Sequence, residues 1–587
     1  MASQAIFREQ AIDAAIKSSG TSIQELRRRR NTLAPISALP IEIITAIFFL
    51  LRTIPPSSPY FISQTIDRLE WLRVAHVCHQ WREIALNQPL LWSHVNFTSF
   101  SSAGATEVLN RAKTAPLHLE ARFSFAAYDA RIITFNKELR TRISHVFYLG
   151  ITAQYLYLRQ TLEELVSPAP ILEYLSLHGG GAQEGRVFVS DTLFDGITPR
   201  LLCLELFYCD VSWKSPLFKG LKYLEIRELT PNARPSLSIW LDALDKMPQL
   251  KMLALYWASP IAPTGVRFPS CVERTITLPS LATLDISASA RDCGLALAHL
   301  VLPALNHLGI AARTSYLEGQ SATDMQEIIL HLPRLTHGLQ DTQPIRSVFV
   351  YCSKMGVNIV AWTLPDVNFK LPSQILSSDP TPSALVAFSV SNMDQSPETY
   401  SRAFNAAMAA LPLYNIVTLT TDKFSVFDEQ FWLRYAPGWP LLRNVHLGPP
   451  AVLGFMSMLL AENGEHKCPL LPSLKKLKLV NIRLSASRTL FLCDALMKRV
   501  EQGVLLETLD LRTCLATNCA VKLLGKVVVE VLAPEETLTK TAQDVSRWES
   551  VPGGHFVPDP SNKDEPWDHW EVDITRYENE DHWPHWQ

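Results

Sequence analysis

The form L-x-x-L-x-L recurs along this 587-residue chain and limits its fold more than any other feature. It reads Leu172-Leu175-Leu177, Leu201-Leu204-Leu206, Leu221-Leu224-Ile226, Leu250-Leu253-Leu255, Leu281-Leu284-Ile286 and Leu305-Leu308-Ile310. It returns as Leu474-Leu477-Leu479 and Leu506-Leu509-Leu511, and is weaker at Ile345-Val348-Val350, Leu385-Phe388-Val390 and Leu442-Val445-Leu447. Alternating apolar positions spell a strand with one face buried. A single copy would mean little, because buried strands are leucine-rich in any α/β protein. Eight strict copies, each followed by turn residues and a helix-like run such as SLSIWLDALDKM or TLFLCDALMKRV, are hard to reach by accident. In the second run Leu492, Leu496 and Val500 share one helical stripe.

The copies are spaced by 20 residues (Leu201 to Leu221), 29 (Leu221 to Leu250), 31 (Leu250 to Leu281) and 32 (Leu474 to Leu506). These values fall in or near the ~20–29 residues of a leucine-rich repeat, with insertions. The spacing predicts units of one strand plus one helix, stacked into a curved solenoid with a parallel sheet on its concave side. The gap from Leu305 to Ile345 predicts a long or degenerate unit. An ordinary doubly wound α/β fold is the alternative. Which side chains the sheet would offer to a partner does not follow from the pattern alone, since a slip of one residue exchanges the two faces.

Composition narrows the function. The chain is 47% hydrophobic and 19% charged, with Lys plus Arg at 54, Asp plus Glu at 57 and a net charge of −3. That balance argues against a generic nucleic-acid or membrane-surface binder. The N-terminal MASQAIFREQAIDAAIK has scattered charges and does not read as a secretory signal. Ile41–Ile54 is apolar but broken by Glu42 and Arg52, short of the ~18 uncharged residues a membrane span needs. Ten cysteines are sparse, without any C-x-x-C, and Cys203, Cys209, Cys271 and Cys293 lie in or beside apolar segments. They read as reduced core thiols of a cytoplasmic or nuclear protein.

Before the repeats, residues 1–35 read as helical: Ile12 and Ile16 share a face, Gly20 interrupts, and Ser22-x-x-Glu25 has capping-box form. Arg27 to Arg30 is a four-arginine run, read as a solvated helix end or, more sharply, as a nuclear-import patch. Residues 36–98 carry the most specific text. Pro40 suits the start of a helix and Glu42 its first turn. Ile43, Ile47 and Leu51 then form one stripe, flanked by Ile44 and Phe48. Pro55-Pro56-Ser57-Ser58-Pro59 is a loop. Asp67 and Glu70 have cap spacing, with Leu69 and Leu72 inward. Val77, Trp81, Ile84 and Ala85 continue a helical face; Pro89 ends it, and Leu91 and Trp92 hook back as apolar anchors.

This segment resembles the F-box, whose pattern is met at Leu39-Pro40, Glu42-Ile43, Ile47-Phe48, Val77-Cys78, Trp81-Arg82, Ile84-Ala85 and Leu91-Trp92. With the preceding NTLAPISALP it looks most like the F-box-like family of mushroom-forming fungi. The stretch from Arg52 to Ile66 is longer than the family's compact pattern, but falls between helices, where insertions cost little. The resemblance implies an all-α module that docks a Skp-type adaptor, and through it a cullin, as the substrate receptor of a Skp–cullin–F-box ubiquitin ligase. Leu39, Pro40, Glu42, Ile43, Ile47, Phe48, Val77, Trp81, Leu91 and Trp92 are the residues it assigns to adaptor binding. A target protein would occupy the repeats at 99–532. A scaffold that docks the adaptor without ubiquitination is the alternative, and an enzyme with a site between residues 311 and 440 a third reading. The boundary at 98/99 further predicts that the repeats fold without the first 100 residues.

Residues 533–587 hold Trp548, Trp567, Trp570, Trp583 and Trp586 among acidic residues and read as a cap on the last repeat or as an arm over the repeat surface. His569, His582 and His585 lack a second cluster with ligand spacing, so no metal is expected. No G-x-S-x-G, G-x-x-x-x-G-K-[ST] or H-E-x-x-H occurs. Gly179-Gly180-Gly181 reads as a turn, and His76-Val77-Cys78-His79 as part of the helical module. The expectation is a binding protein without cofactor or catalytic residues of its own.

Overall fold

The computed structural model describes residues 8–14, 23–51, 70–123, 131–181, 185–263, 274–314, 328–336, 344–353, 356–365, 385–391, 397–421, 427–460 and 470–534. The Trp-rich segment, Ser22, Pro55–Pro59, Asp67 and Leu69 lie outside them. Two compact units divide the chain, Met1–Leu250 and Lys251–Gln587. No helix among the described residues is long and apolar enough to cross a membrane.

The first unit opens with helices. α1 is Ile23–Thr32 and α2 is Ile41–Leu51, joined through a 3₁₀ turn at Pro35–Ala38. A 3₁₀ stretch at Glu70–His76 leads into α3, His79–Leu86, and Pro89–Trp92 forms a last 3₁₀ turn. Strands then alternate with helices: β1 (His94–Asn96), α4 (Ser102–Ala112), β2 (Leu117–Arg122), α5 (Arg131–Arg142), β3 (Val146–Thr152), α6 (Tyr155–Glu164) and β4 (Tyr174–His178). β5 (Val187–Val189), β6 (Cys203–Phe207), β7 (Cys209–Val211), β8 (Tyr223–Arg227) and α7 (Leu237–Asp245) follow.

The sheet order in this unit is β1-β2-β3-β4-β6-β8, every neighbour parallel. The register explains the motif. Its fourth position forms a row, Leu119, Leu149, Leu175, Leu204 and Leu224; its sixth forms a second, Ala121, Ile151, Leu177, Leu206 and Ile226. All ten side chains are buried. The first-position residues Leu172, Leu201 and Leu221 precede their strands and are buried as well. β2 and β3 are two further members of the stack that no strict copy announces, because Leu117-x-Leu119-x-Ala121 and Val146-x-x-Leu149-x-Ile151 relax the leucines to other apolar residues.

Two units depart from the expected strand-plus-helix form. Among the described residues, the units that begin at Leu172 and Leu201 carry no α-helix. Their return segments are β5 and β7, which pair parallel in a small second sheet, with 3₁₀ turns at Leu193–Gly196 and Pro216–Phe218. A 3₁₀ turn uses fewer residues than a three-turn helix, which permits the short spacing of 20 from Leu201 to Leu221, although the helix-free unit from Leu172 spans 29.

The second unit contains β9 (Met252–Tyr256), β10 (Ile276–Thr277), β11 (Thr283–Ser289), α8 (Ala290–Ala298), β12 (Leu300–Val301), β13 (His307–Arg313), β14 (Ser347–Ser353), β15 (Gly356–Trp362), β16 (Val386–Ser391) and α9 (Pro397–Ala410). It continues with β17 (Thr418–Thr421), α10 (Glu429–Tyr435), β18 (Asn444–Leu447), α11 (Pro449–Leu460), β19 (Lys476–Leu479), α12 (Ala486–Glu501), β20 (Thr508–Asp510), α13 (Asn518–Leu524) and β21 (Glu530–Leu532). Its sheet order is β9-β11-β13-β16-β15-β14-β17-β18-β19-β20-β21. Every pair is parallel except those of β15, which runs antiparallel to both neighbours.

The degenerate copies mark this break. Ile345-Val348-Val350 supplies β14, which skips past β13 and pairs with β17 instead, Val348 opposite Leu419. Leu385-Phe388-Val390 supplies β16, which takes the place beside β13 with Phe388 opposite Ile310 and Val390 opposite Ala312. Clean stacking resumes as Val445, Leu477 and Leu509 fall in line. The chain is thus a mixed α/β protein, an N-terminal helical region followed by a large, mostly parallel sheet.

Candidate functional site

The helical region holds two apolar faces, and only one is used internally. On α2, Ile44 and Phe48 are fully buried. The Phe48 ring meets Trp81 edge to face, with centroids 5.1 Å apart. Cys78 caps α3, its sulfur accepting from the Trp81 N–H at 3.5 Å, while His76 and His79 are exposed. The H-V-C-H text is therefore a helix start. Ile84 and Ala85 are buried, and the Trp92 indole donates to the Ala85 carbonyl at 2.7 Å. The Arg111 guanidinium of α4 lies 4.5 Å from the Trp92 ring centroid, and Phe97 packs edge to face on Phe135 at 4.9 Å.

Apolar side chains at both ends of α2, and Ile43 off the Ile44/Phe48 stripe, are open. Leu39 is 37% exposed, Ile41 54% and Ile43 48%; Ile36 and Leu51 are exposed too, and Val77 is 59% exposed beyond the second turn. Pro40 and Glu42 are exposed and Ile47 and Trp81 half-buried. Pro40 sits just before the first helical residue, its carbonyl accepting from the Ile44 N–H at 3.2 Å. Exposed apolar side chains gathered at the start of one helix are the candidate docking surface of this region.

Three residues assigned to adaptor contact are therefore elsewhere. Phe48, Leu91 and Trp92 are buried within this chain and build the module that holds the open strip. The i, i+4 pattern identified both stripes of α2 but could not say which faces inward, since Ile43/Ile47 and Ile44/Phe48 are equally apolar. Ile36 and Leu90, half or nearly half exposed beside the motif, were missed, because nothing in their local spacing separates a surface from a core leucine.

Compared with known families, residues 36–98 match the F-box-like model. No curated protein matches the chain. The bounds coincide with the segment read from sequence. An F-box-like domain at this position supports an F-box protein with the adaptor-binding role that such domains generally have. The matched segment ends inside the sheet, because β1 pairs with β2 through His94–His118, Val95–Leu119 and Asn96–Glu120. The helical module is therefore joined through β1 to the sheet that follows it.

With the register known, the sheet face opposite the leucines can also be read. In the first unit one row is aromatic: the rings of His94 and His118 stack at 4.7 Å, His118 and Tyr148 at 3.7 Å, and Tyr148 and Tyr174 at 4.4 Å. The next row carries Glu120, Gly150, Ser176, Glu205 and Glu225. His118 Nε2 lies 3.0 Å from Glu120, and Tyr174 and Ser176 both donate to Glu205, the latter at 2.8 Å. Burial holds the Glu205 carboxyl above the usual carboxylate range, against the pull of those two donors and of Arg227. In the third row His178 stacks on Phe207 at 3.9 Å, and Arg227 lies over the same ring at 4.8 Å.

His178 gives a pH prediction. Burial, with Arg122 and Arg227 adding to it, pushes its pKa from 6.5 down to about 4. Burial pushes His331 in the second unit down to about 4 as well, with help from Arg334 and His299. Both imidazoles stay neutral when folded but take up a proton when unfolded below pH 6.5, so the unfolded state binds more protons between those values. The stability these neutral rings contribute is fully present above pH 6.5 and is lost as pH falls toward 4. Urea midpoints should drop across that window, and His178→Gln should remove part of the drop. An unchanged slope in the variant would refute the role given to His178.

Among the described residues no group of three or more His, Cys, Asp or Glu is placed to hold a metal. Cys203, Cys209 and Cys293 are buried thiols, and burial pushes Cys209 up to about 12, far from a reactive thiolate. Cys271 lies outside the described residues. At Gly179 a side chain would meet the Tyr208 carbonyl oxygen at 2.8 Å, so that glycine permits a close approach between neighbouring loops.

Proposed function

We propose that this chain is the substrate-receptor subunit of a Skp–cullin–F-box ubiquitin ligase, acting in the cytoplasm or nucleus by binding and not by chemistry of its own. The observation that carries the reading is the open strip of Leu39, Ile41 and Ile43 held on a module whose other face is packed around Phe48 and Trp92. Aromatic and aliphatic anchors seated in a groove dominate interface energies. In this reading the stack of strands is a set of leucine-rich repeats, supported by the rows that place Leu175 beside Leu204 and Leu224, and the face opposite those rows receives a target. The text NTLAPISALP before α2 favours the F-box-like family of mushroom-forming fungi. The receptor would contribute proximity, turning a bimolecular encounter with the transfer machinery into an intramolecular one.

The test is co-purification. Tagged full-length chain should bring down a Skp-type adaptor together with a cullin, and proteasome inhibition should add ubiquitinated partners. Adaptor without cullin or ubiquitinated species would replace the receptor by a scaffold, and absence of adaptor would remove both.

A further inference from the structure

The arginines of α1 are unexplained by the helical module. The helix carries Arg27, Arg28, Arg29 and Arg30 against one acid, Glu25, in a chain whose net charge is −3. Four successive helical residues, ~100° apart, spread over about 300° of the circumference, so they cannot all turn toward their own chain. All four are exposed. Arg28 and Arg29 share Glu25 at 3.8 and 3.5 Å, and Arg30 reaches Asp13 at 3.5 Å. Exposed pairs of this length hold little, about 0–1 kcal/mol. A favourable interaction with the helix C-terminus accounts for Arg29 and Arg30 in the last turn but not for the run.

Position supplies the second observation. α1 is tied to the open strip by consecutive turns: Leu33 N–H donates to Arg30, Ala34 to Asn31, Ser37 to Ala34 and Leu39 to Ile36, at 2.9–3.2 Å. The Ser37 hydroxyl closes the connection by donating to the Asn31 carbonyl at 2.8 Å. Nine residues separate Arg30 from Leu39, which keeps them within about 32 Å even for an extended chain, and these turns shorten the span. The Debye length is ~30 Å at 0.01 M salt but only ~3 Å at 1 M, so the arginines act on whatever docks at Leu39 in dilute salt and not in concentrated salt.

We propose that α1 is an electrostatic arm of the docking surface, its arginines meeting an acidic surface that the adaptor presents beside its apolar groove. The inference rests on the adaptor reading above. The arm accelerates encounter, and the strip at Leu39 and Ile43 sets residence time. The test uses the full chain and a purified Skp-type adaptor in surface plasmon resonance. Replacing Arg27–Arg30 together by alanine should slow association about tenfold in ~0.02 M salt, with the difference gone near 1 M and dissociation within about twofold of the parent. Lysine at all four positions should restore the rate. Leu39→Ala with Pro40→Ala should instead weaken binding through dissociation at every salt. An alanine variant that associates at the parental rate overturns the arm, and if it also loses nuclear accumulation the run is an import signal. Failure of the unmodified chain to bind adaptor overturns the adaptor reading and the arm together.

Discussion

Trp92→Ala should lower the stability of the first unit by about 3–5 kcal/mol, the usual cost of emptying a fully buried aromatic site. Trp92 is 2% exposed, donates to the Ala85 carbonyl at 2.7 Å and lies under the Arg111 guanidinium of α4. Its loss opens a cavity where module and sheet meet, so both should soften together. Urea unfolding followed by far-ultraviolet circular dichroism measures the effect. Trp92→Phe should cost markedly less, because most apolar mass stays and only one hydrogen bond of about 1 kcal/mol is lost. The same shared core makes a chain beginning at residue 101 aggregate: it lacks Val95 and Phe97, both buried, and leaves β2 as a bare edge. A monomeric, cooperatively folding truncation would show that module and sheet are independent after all.

Leu39→Ala with Pro40→Ala should have the converse effect. Both positions are exposed, and alanine is a good helix former, so stability should move by no more than about 0.5 kcal/mol. Adaptor affinity should fall at least ~30-fold, the equivalent of the ~2 kcal/mol that a single interface anchor is worth. The contrast is the informative result: Trp92 carries stability with its exposed edge contributing almost nothing, whereas Leu39 carries binding and almost no stability. Retained affinity in the double variant, with unchanged circular dichroism, would sink the assignment of the strip as the docking surface.

Much of the molecule was legible because its sequence periods are local. The eight strict and three weaker L-x-x-L-x-L copies gave eleven main-sheet strands directly, since an alternating apolar pattern is a property of one segment. The segment 36–98 was legible for a different reason: Leu39-Pro40, Val77-Cys78 and Trp81-Arg82 are a rare combination of residue types at fixed spacing. What failed shared one feature. The antiparallel β15 and the crossing of β14 and β16 depend on which distant strand a segment meets, and Val357, Ile359 and Ala361 alternate as well as any repeat strand does. β2 and β3 were hidden because burial asks only for apolar side chains, and valine, isoleucine or alanine satisfies it as leucine does.

By itself, then, the sequence determined that leucines must line up on a buried sheet face and that α2 must have two apolar stripes, because both follow from the 2.0- and 3.6-residue periods of the backbone. Only the tertiary structure decided that Ile44 and Phe48 turn inward while Leu39 and Ile43 stay open, that Trp92 belongs to the joint between module and sheet, and that His118, Tyr148 and Glu205 stand together in neighbouring rows. Those outcomes depend on contacts between residues far apart in sequence, 19 positions for Trp92 and Arg111 and 33 for Phe48 and Trp81, and no local period encodes which of two equally apolar faces finds a partner within the chain.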